Sequence, residues 1–202
     1  FETWNGWSGP SSTQRDETKI PFEYVRSALK LGLAQKIRSG VNPYQLGLIG
    51  SSDSHTGLAA VGEDNFWGKG GISEPGAGRM YNKPAAFNRE ASAAGYAAVW
   101  ATDNTREALF AAMRRRETFA STGPRMLLRL FAGWRFAPDE VDAPDLALAG
   151  YAYGVPMGGV LSSAPEGASP VFLLAAAKDP TGANLDRLQV VKGWVGKDQE
   201  LH

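Results

Sequence analysis

Asn42-Pro43-Tyr44-Gln45-Leu46-Gly47-Leu48-Ile49-Gly50-Ser51-Ser52-Asp53-Ser54-His55-Thr56-Gly57-Leu58 is the stretch on which the reading turns. Tyr44 to Ile49 is short, apolar and bounded by Pro43 and Gly50, the pattern of a buried strand. Asp53 and His55 follow where that strand should end. Upstream, Phe22, Val25, Leu29, Leu33 and Ile37 recur at spacings of three and four, which predicts a helix with one apolar face. Pro21 suits its first turn and Gly40 the left-handed residue past its end. A helix followed by a buried strand predicts an α/β layer with a parallel sheet. In such barrels, catalytic groups collect at the C-terminal ends of the strands.

Residues 59–95 are dense in Gly, Pro, Asn and Ser, with Trp67, Tyr81 and Phe87 interleaved, and read as a long functional loop. Tyr96–Trp100 reads as a strand. A second helix follows, with Asn104 as N-cap, Glu107 as its reciprocal partner, and Leu109, Phe110 and Met113 as its stripe. Arg114, Arg115 and Arg116 complement the dipole at its C-terminal end. Beyond a boundary near 118–125 the character changes. Met126–Phe131, Val171–Ala175 and Leu188–Val191 read as strands separated by Pro- and Gly-rich turns, with no helix expected. The expected organisation is therefore an α/β part over residues 1–120 and a β-rich unit over 121–202.

Composition narrows the function classes. Lys+Arg and Asp+Glu both total 21, so the net charge is zero and no electrostatic case exists for nucleic acid or an anionic membrane. The absence of cysteine removes disulfides, thiolate catalysis and Cys-based zinc sites. No apolar run approaches the roughly 20 residues that span a bilayer. The sequence starts at Phe1 and shows no signal peptide, so the true N-terminus is expected upstream, and the compartment is undecided between cytoplasm and periplasm.

Of the two histidines, His202 is terminal and His55 is the informative one. Asp53 and His55, two residues apart, can converge on one ion if the backbone bends at the strand end. Carboxylate oxygen and imidazole nitrogen suit manganese, zinc or iron. Ser51, Ser52, Ser54 and Thr56 supply hydroxyls able to orient such ligands. The alternative is structural: an N-cap aspartate beside a hydrogen-bonded histidine. Lys69, Arg79 and Arg125 are candidate clamps for a small anionic substrate, against the ordinary reading of each as a solvated charge. Glu63 and Asp64 could add acidic groups, and Trp4 and Trp7 could stack on a ring or pack beneath a loop.

The 42–58 segment resembles the signature of a bacterial family of unassigned function in the PHP-like (polymerase and histidinol phosphatase) superfamily of metal-dependent hydrolases. Further stretches resemble the same family in order: Gly62–Lys69, Ala98–Ala101 with Asn104–Ala108, Arg115–Ala120 with Thr122–Arg125, Gly154–Gly159, and Lys178–Arg187. The resemblance runs from about residue 20 onward. It implies the C-terminal part of a distorted β/α barrel followed by a small β-rich unit. It also implies a cluster of two or three divalent metal ions to which Asp53 and His55 contribute. The other His and Glu ligands would come from a remaining N-terminal part of the same protein. The function so implied is part of a phosphoesterase-like hydrolase using metal-activated water. The competing reading is a non-catalytic module that binds a carbohydrate or a protein partner.

Overall fold

The computed structural model describes residues 18, 22, 24–52, 95–142, 145–196 and 200–202. They fall into two compact units. One holds the described residues up to Leu46 together with those from Gln189 onward, and the other holds those from Gly47 to Leu188.

In the first unit, helix α1 spans Val25–Ser39. It stops at Gly40, whose φ of 77° is left-handed and whose N–H reaches the carbonyl of Lys36 at 2.8 Å. A side chain there would meet the Cβ penalty that glycine avoids. Lys36 and Arg38 sit in the last turn, where the helix dipole favours cations. The expected apolar face is present but is not buried. Val25 is 51% exposed and Ile37 52%, Phe22 and Leu29 are exposed too, and Gly32 is the buried residue of α1. Near the end of the chain, Val195 and Leu201 form an isolated antiparallel bridge. Beside it the indole of Trp194 stacks on His202, with ring centroids 5.1 Å apart.

The second unit is a mixed α/β assembly with two small sheets. Strand β1 (Tyr96–Val99) pairs antiparallel with β2 (Thr118–Ser121), and helix α2 (Arg106–Arg115) connects them. The N-cap of α2 is Thr105, one residue beyond the expected Asn104, because it is the Thr105 hydroxyl that accepts the N–H of Ala108. Arg116 closes α2 in a left-handed conformation, φ 64°, and passes the chain to Glu117 and β2.

Strand β3 (Leu127–Gly133) is the centre of the second sheet, flanked by β4 (Gly154–Pro156) and β5 (Val171–Ala177), both antiparallel to it. A short 3-10 turn (Pro138–Asp142) and helix α3 (Leu146–Tyr153) link β3 to β4. The Asp145 carboxylate caps α3 by accepting the N–H groups of Ala147 and Leu148. The core here is Phe131, fully buried, with Phe136 and Leu173, and Leu146 and Ala147 of α3 pack on it. The two sheets of this unit meet at Trp100, whose indole N–H donates to the carbonyl of Leu128 at 3.0 Å and whose ring lies 6.0 Å from that of Phe119.

Two expectations are corrected. Tyr44–Ile49 is not a strand: Tyr44 lies in a turn and its carbonyl accepts the N–H of Leu46, and the segment is exposed, with Leu46, Leu48 and Ile49 all keeping large accessible surfaces. The parallel sheet does not appear among the described residues, where both sheets are antiparallel and neither closes into a barrel. The physical reason is that Gly47–Gly50 reaches β1, among the described residues, through one backbone bond, Gly50 N–H to Tyr96 O, and not through a ladder. No helix among the described residues is long and apolar enough to cross a membrane.

Candidate functional site

Asp53, His55, Lys69 and Arg79 lie outside the described residues, as do Glu63 and Asp64. Among the described residues, no three of His, Cys, Asp and Glu gather where they could hold one metal ion. Arg125 is described, and the site is built outward from it and from the residues that lead toward Asp53.

The approach is tight. Gly50 donates its N–H to Tyr96 O at 3.0 Å. A Cβ on Gly50 would lie 2.5 Å from the carbonyl of Ser121 and 2.7 Å from that of Tyr96. A Cβ on Gly95 would lie 2.6 Å from the carbonyl of Ser51 and 2.9 Å from that of Ser121. Real side chains do not tolerate such distances to backbone. Both positions therefore require glycine if the strand-end chains are to pass this closely. The result is a junction in which Ser51, Gly95, Tyr96 and Ser121 converge at one end of the β1–β2 pair. Ser121 is 4% exposed, and its hydroxyl has no hydrogen-bond partner among the described residues.

Arg125 lies just beyond β2, on the short connection to β3, and is held at both ends. Its backbone N–H donates to Asp179 Oδ2 at 2.7 Å. Its Nε donates to the Tyr96 hydroxyl at 3.3 Å, and its guanidinium carbon lies 5.3 Å from the centre of the same ring. The other oxygen of Asp179 accepts the N–H and the hydroxyl of Thr181, each at 3.0 Å. The Arg125 N–H, followed by the Thr181 groups, holds the Asp179 carboxyl below its usual range. The hydrogen bond to Tyr96 pushes Arg125 further up, so it is charged at every working pH. Neither terminal amino group of Arg125 has a hydrogen-bond partner among the described residues. Chemically this is a fixed cationic fork with open donors.

A second cluster in the same unit was not foreseen. Glu117 is 2% exposed. One of its oxygens accepts from Arg115 Nε at 2.6 Å and the other from the Tyr151 hydroxyl. Arg129 stacks over Trp100 at 4.1 Å, lies 5.1 Å from the Phe131 ring, and donates a long hydrogen bond to Tyr151 at 3.5 Å. Burial, and then the bond to Glu117, raise the Tyr151 phenol above its usual range. Both carboxylate oxygens are satisfied and the guanidinium of Arg129 is covered by rings, so this cluster joins the two sheets instead of offering a ligand site. A buried glutamate straight after three arginines gave one local signal, but its tyrosine partner is 34 residues away.

A family model described as "Protein of unknown function (DUF3604)" matches residues 1–202. No curated protein and no solved structure matches the chain significantly.

Proposed function

The chain belongs to the DUF3604 family, and on that premise we propose that it is a portion of a metal-dependent hydrolase of the PHP-like kind, acting on a phosphoester. Asp53 and His55 are the metal ligands that this chain contributes, and a divalent ion (manganese, zinc or iron) is the cofactor. The observation that carries the reading is the Gly50-Ser51-Ser52-Asp53-Ser54-His55 sequence, which pairs a carboxylate and an imidazole soon after the apolar residues Leu46, Leu48 and Ile49. The geometry supports it at one remove: Ser51, close before Asp53 in the chain, is packed into the junction with Gly95, Tyr96 and Ser121. A metal bound there would supply hydroxide near neutral pH by lowering the pKa of its water.

The remaining ligands come from a further, N-terminal part of the same protein in this reading. The apolar surface left open on Leu46, Leu48 and Ile49, and separately on α1, fits such a partner. Lys69, Arg79 and Arg125 are the cations proposed to meet the anionic substrate.

The test is hydrolysis of a phosphomonoester and a phosphodiester by the full-length protein supplied in turn with manganese, zinc and iron. Asp53→Ala and His55→Ala should each lower turnover by about 100-fold or more, since a lost ligand disturbs both the ion and its water. Turnover indifferent to both substitutions would remove these residues from the chemistry. A protein without turnover or bound metal would instead favour the non-catalytic binding module.

A further inference from the structure

We infer that Arg125 grips the phosphoryl group of the substrate through its two terminal amino groups, with Tyr96 and Asp179 as the residues that position it. The inference rests on the hydrolase reading for the bond that is cleaved, but the grip itself requires no metal.

Three observations carry it. First, the side chain is braced at its root and its neck. The backbone N–H is tied to Asp179, the Nε to the Tyr96 hydroxyl, and the guanidinium lies near the tyrosine ring. An exposed arginine usually samples many rotamers, and each restraint removes part of the entropy that ligand binding would otherwise cost. Second, the brace leaves the binding end open. The Asp179 carboxylate acts on the guanidinium by charge, but its hydrogen bonds go to the Arg125 backbone N–H and to Thr181, and not to the terminal amino groups. Arg129, by contrast, is half-buried and stacks on Trp100 and Phe131. Third, the brace belongs to the junction. Tyr96 is the residue whose carbonyl accepts from Gly50, and its neighbour Gly95 touches Ser51 on the way to Asp53.

The chemistry of the ligand follows from the fork. Two parallel N–H donors with a delocalised charge match two oxygens of a carboxylate or of a tetrahedral oxyanion alike, and in the hydrolase reading the phosphoryl group is the one to be held. Lysine, a point charge without the fork, would attract the anion but not orient it. Arg125 is thus a substrate-anchoring residue, and Tyr96 and Asp179 act through it.

Titration of the full-length protein with inorganic phosphate, followed by calorimetry, tests this, with acetate as a planar anion for comparison and the metal content of every sample measured alongside. Arg125→Gln should weaken phosphate binding by about tenfold or more, and Arg125→Lys should recover only a small part of the loss. Asp179→Asn and Tyr96→Phe should weaken phosphate by a smaller factor, roughly threefold, and acetate, which the same fork can hold, in parallel, with the fold retained in chemical denaturation. General loss of structure would show as a lowered denaturation midpoint. Repeating the titration with a chelator separates the two proposals. Arg125-dependent phosphate binding that persists in metal-free protein upholds the grip even if the hydrolase reading fails. Phosphate binding that vanishes with the metal, and is equal in wild type and Arg125→Gln, overturns the grip and leaves the hydrolase reading standing. The absence of phosphate binding, or full recovery in Arg125→Lys, also overturns it.

Discussion

Arg125 and Arg129 lie on one stretch of chain, either side of the start of β3, and they are used in opposite ways. Arg129 is half-buried and stacks on Trp100, Phe131 and Tyr151, next to a glutamate whose two oxygens are both occupied. Arg125 is braced from behind by Tyr96 and Asp179 and open in front. The difference teaches how a charged side chain declares its role. Where a guanidinium stacks on rings beside a fully bonded carboxylate, it is part of the architecture; where the supports are matched and the tip is not, the group is prepared for something else.

Substitutions can break this contrast, and the largest effects are expected on the closed side. Phe131→Ala empties the centre of the β3–β5 core and should destabilise the protein by about 3–5 kcal/mol, read by chemical denaturation. Tyr151→Phe leaves one oxygen of a buried carboxylate unpaired and should cost about 1–3 kcal/mol, without altering phosphate binding. The same variant sharpens the picture through pH. The folded Tyr151 phenol is raised, so its contribution to stability is complete below the unfolded value, near 10, and is lost as pH rises through the higher folded value. Stability measured across that alkaline range should fall more steeply in wild type than in Tyr151→Phe.

Effects on the open side should be smaller for folding and larger for binding. The folded Asp179 carboxyl is depressed, so its contribution is present above the unfolded value, about 3.9, and disappears as pH falls through the lower folded value. Asp179→Asn should flatten that acid limb slightly. It is the weakest stability effect proposed, because the group is solvated.

How much of this could be read from the residues alone follows from the range of each interaction. Gly40 marked the end of α1 because its signal is local: a left-handed residue after a helical stripe. Strands β3 and β5 were expected from dense apolar runs, and each extends two residues further than expected at its C-terminal end. Helix α3 was missed because Leu146–Tyr153 is apolar on all sides and carries no period. Leu188–Val191 shows the converse. It has strand-like composition, but Leu188, Val190 and Val191 are all more than half exposed and no strand among the described residues pairs with them. The stripe of α2 was legible as a pattern, yet Phe110 is 61% exposed and Ala112 is the buried residue, since periodicity states which residues share a face but not what covers it.

The site divides along the same line. Arg125 could be picked out as a cation after a Gly-Pro turn. Its supports could not, because Tyr96 lies 29 residues before it and Asp179 54 residues after it, and no local rule pairs them. The closeness of Gly50 and Gly95 is equally non-local: each glycine reads as a turn residue until the chains are seen crossing.

Elemental analysis of the full-length protein and of its Asp53→Ala and His55→Ala variants, purified side by side, decides whether these residues hold a metal. Manganese, zinc or iron is expected in the parent at stoichiometric level, and markedly less in both variants while their folding is retained. A metal-free parent, or variants that keep full occupancy, would contradict this expectation.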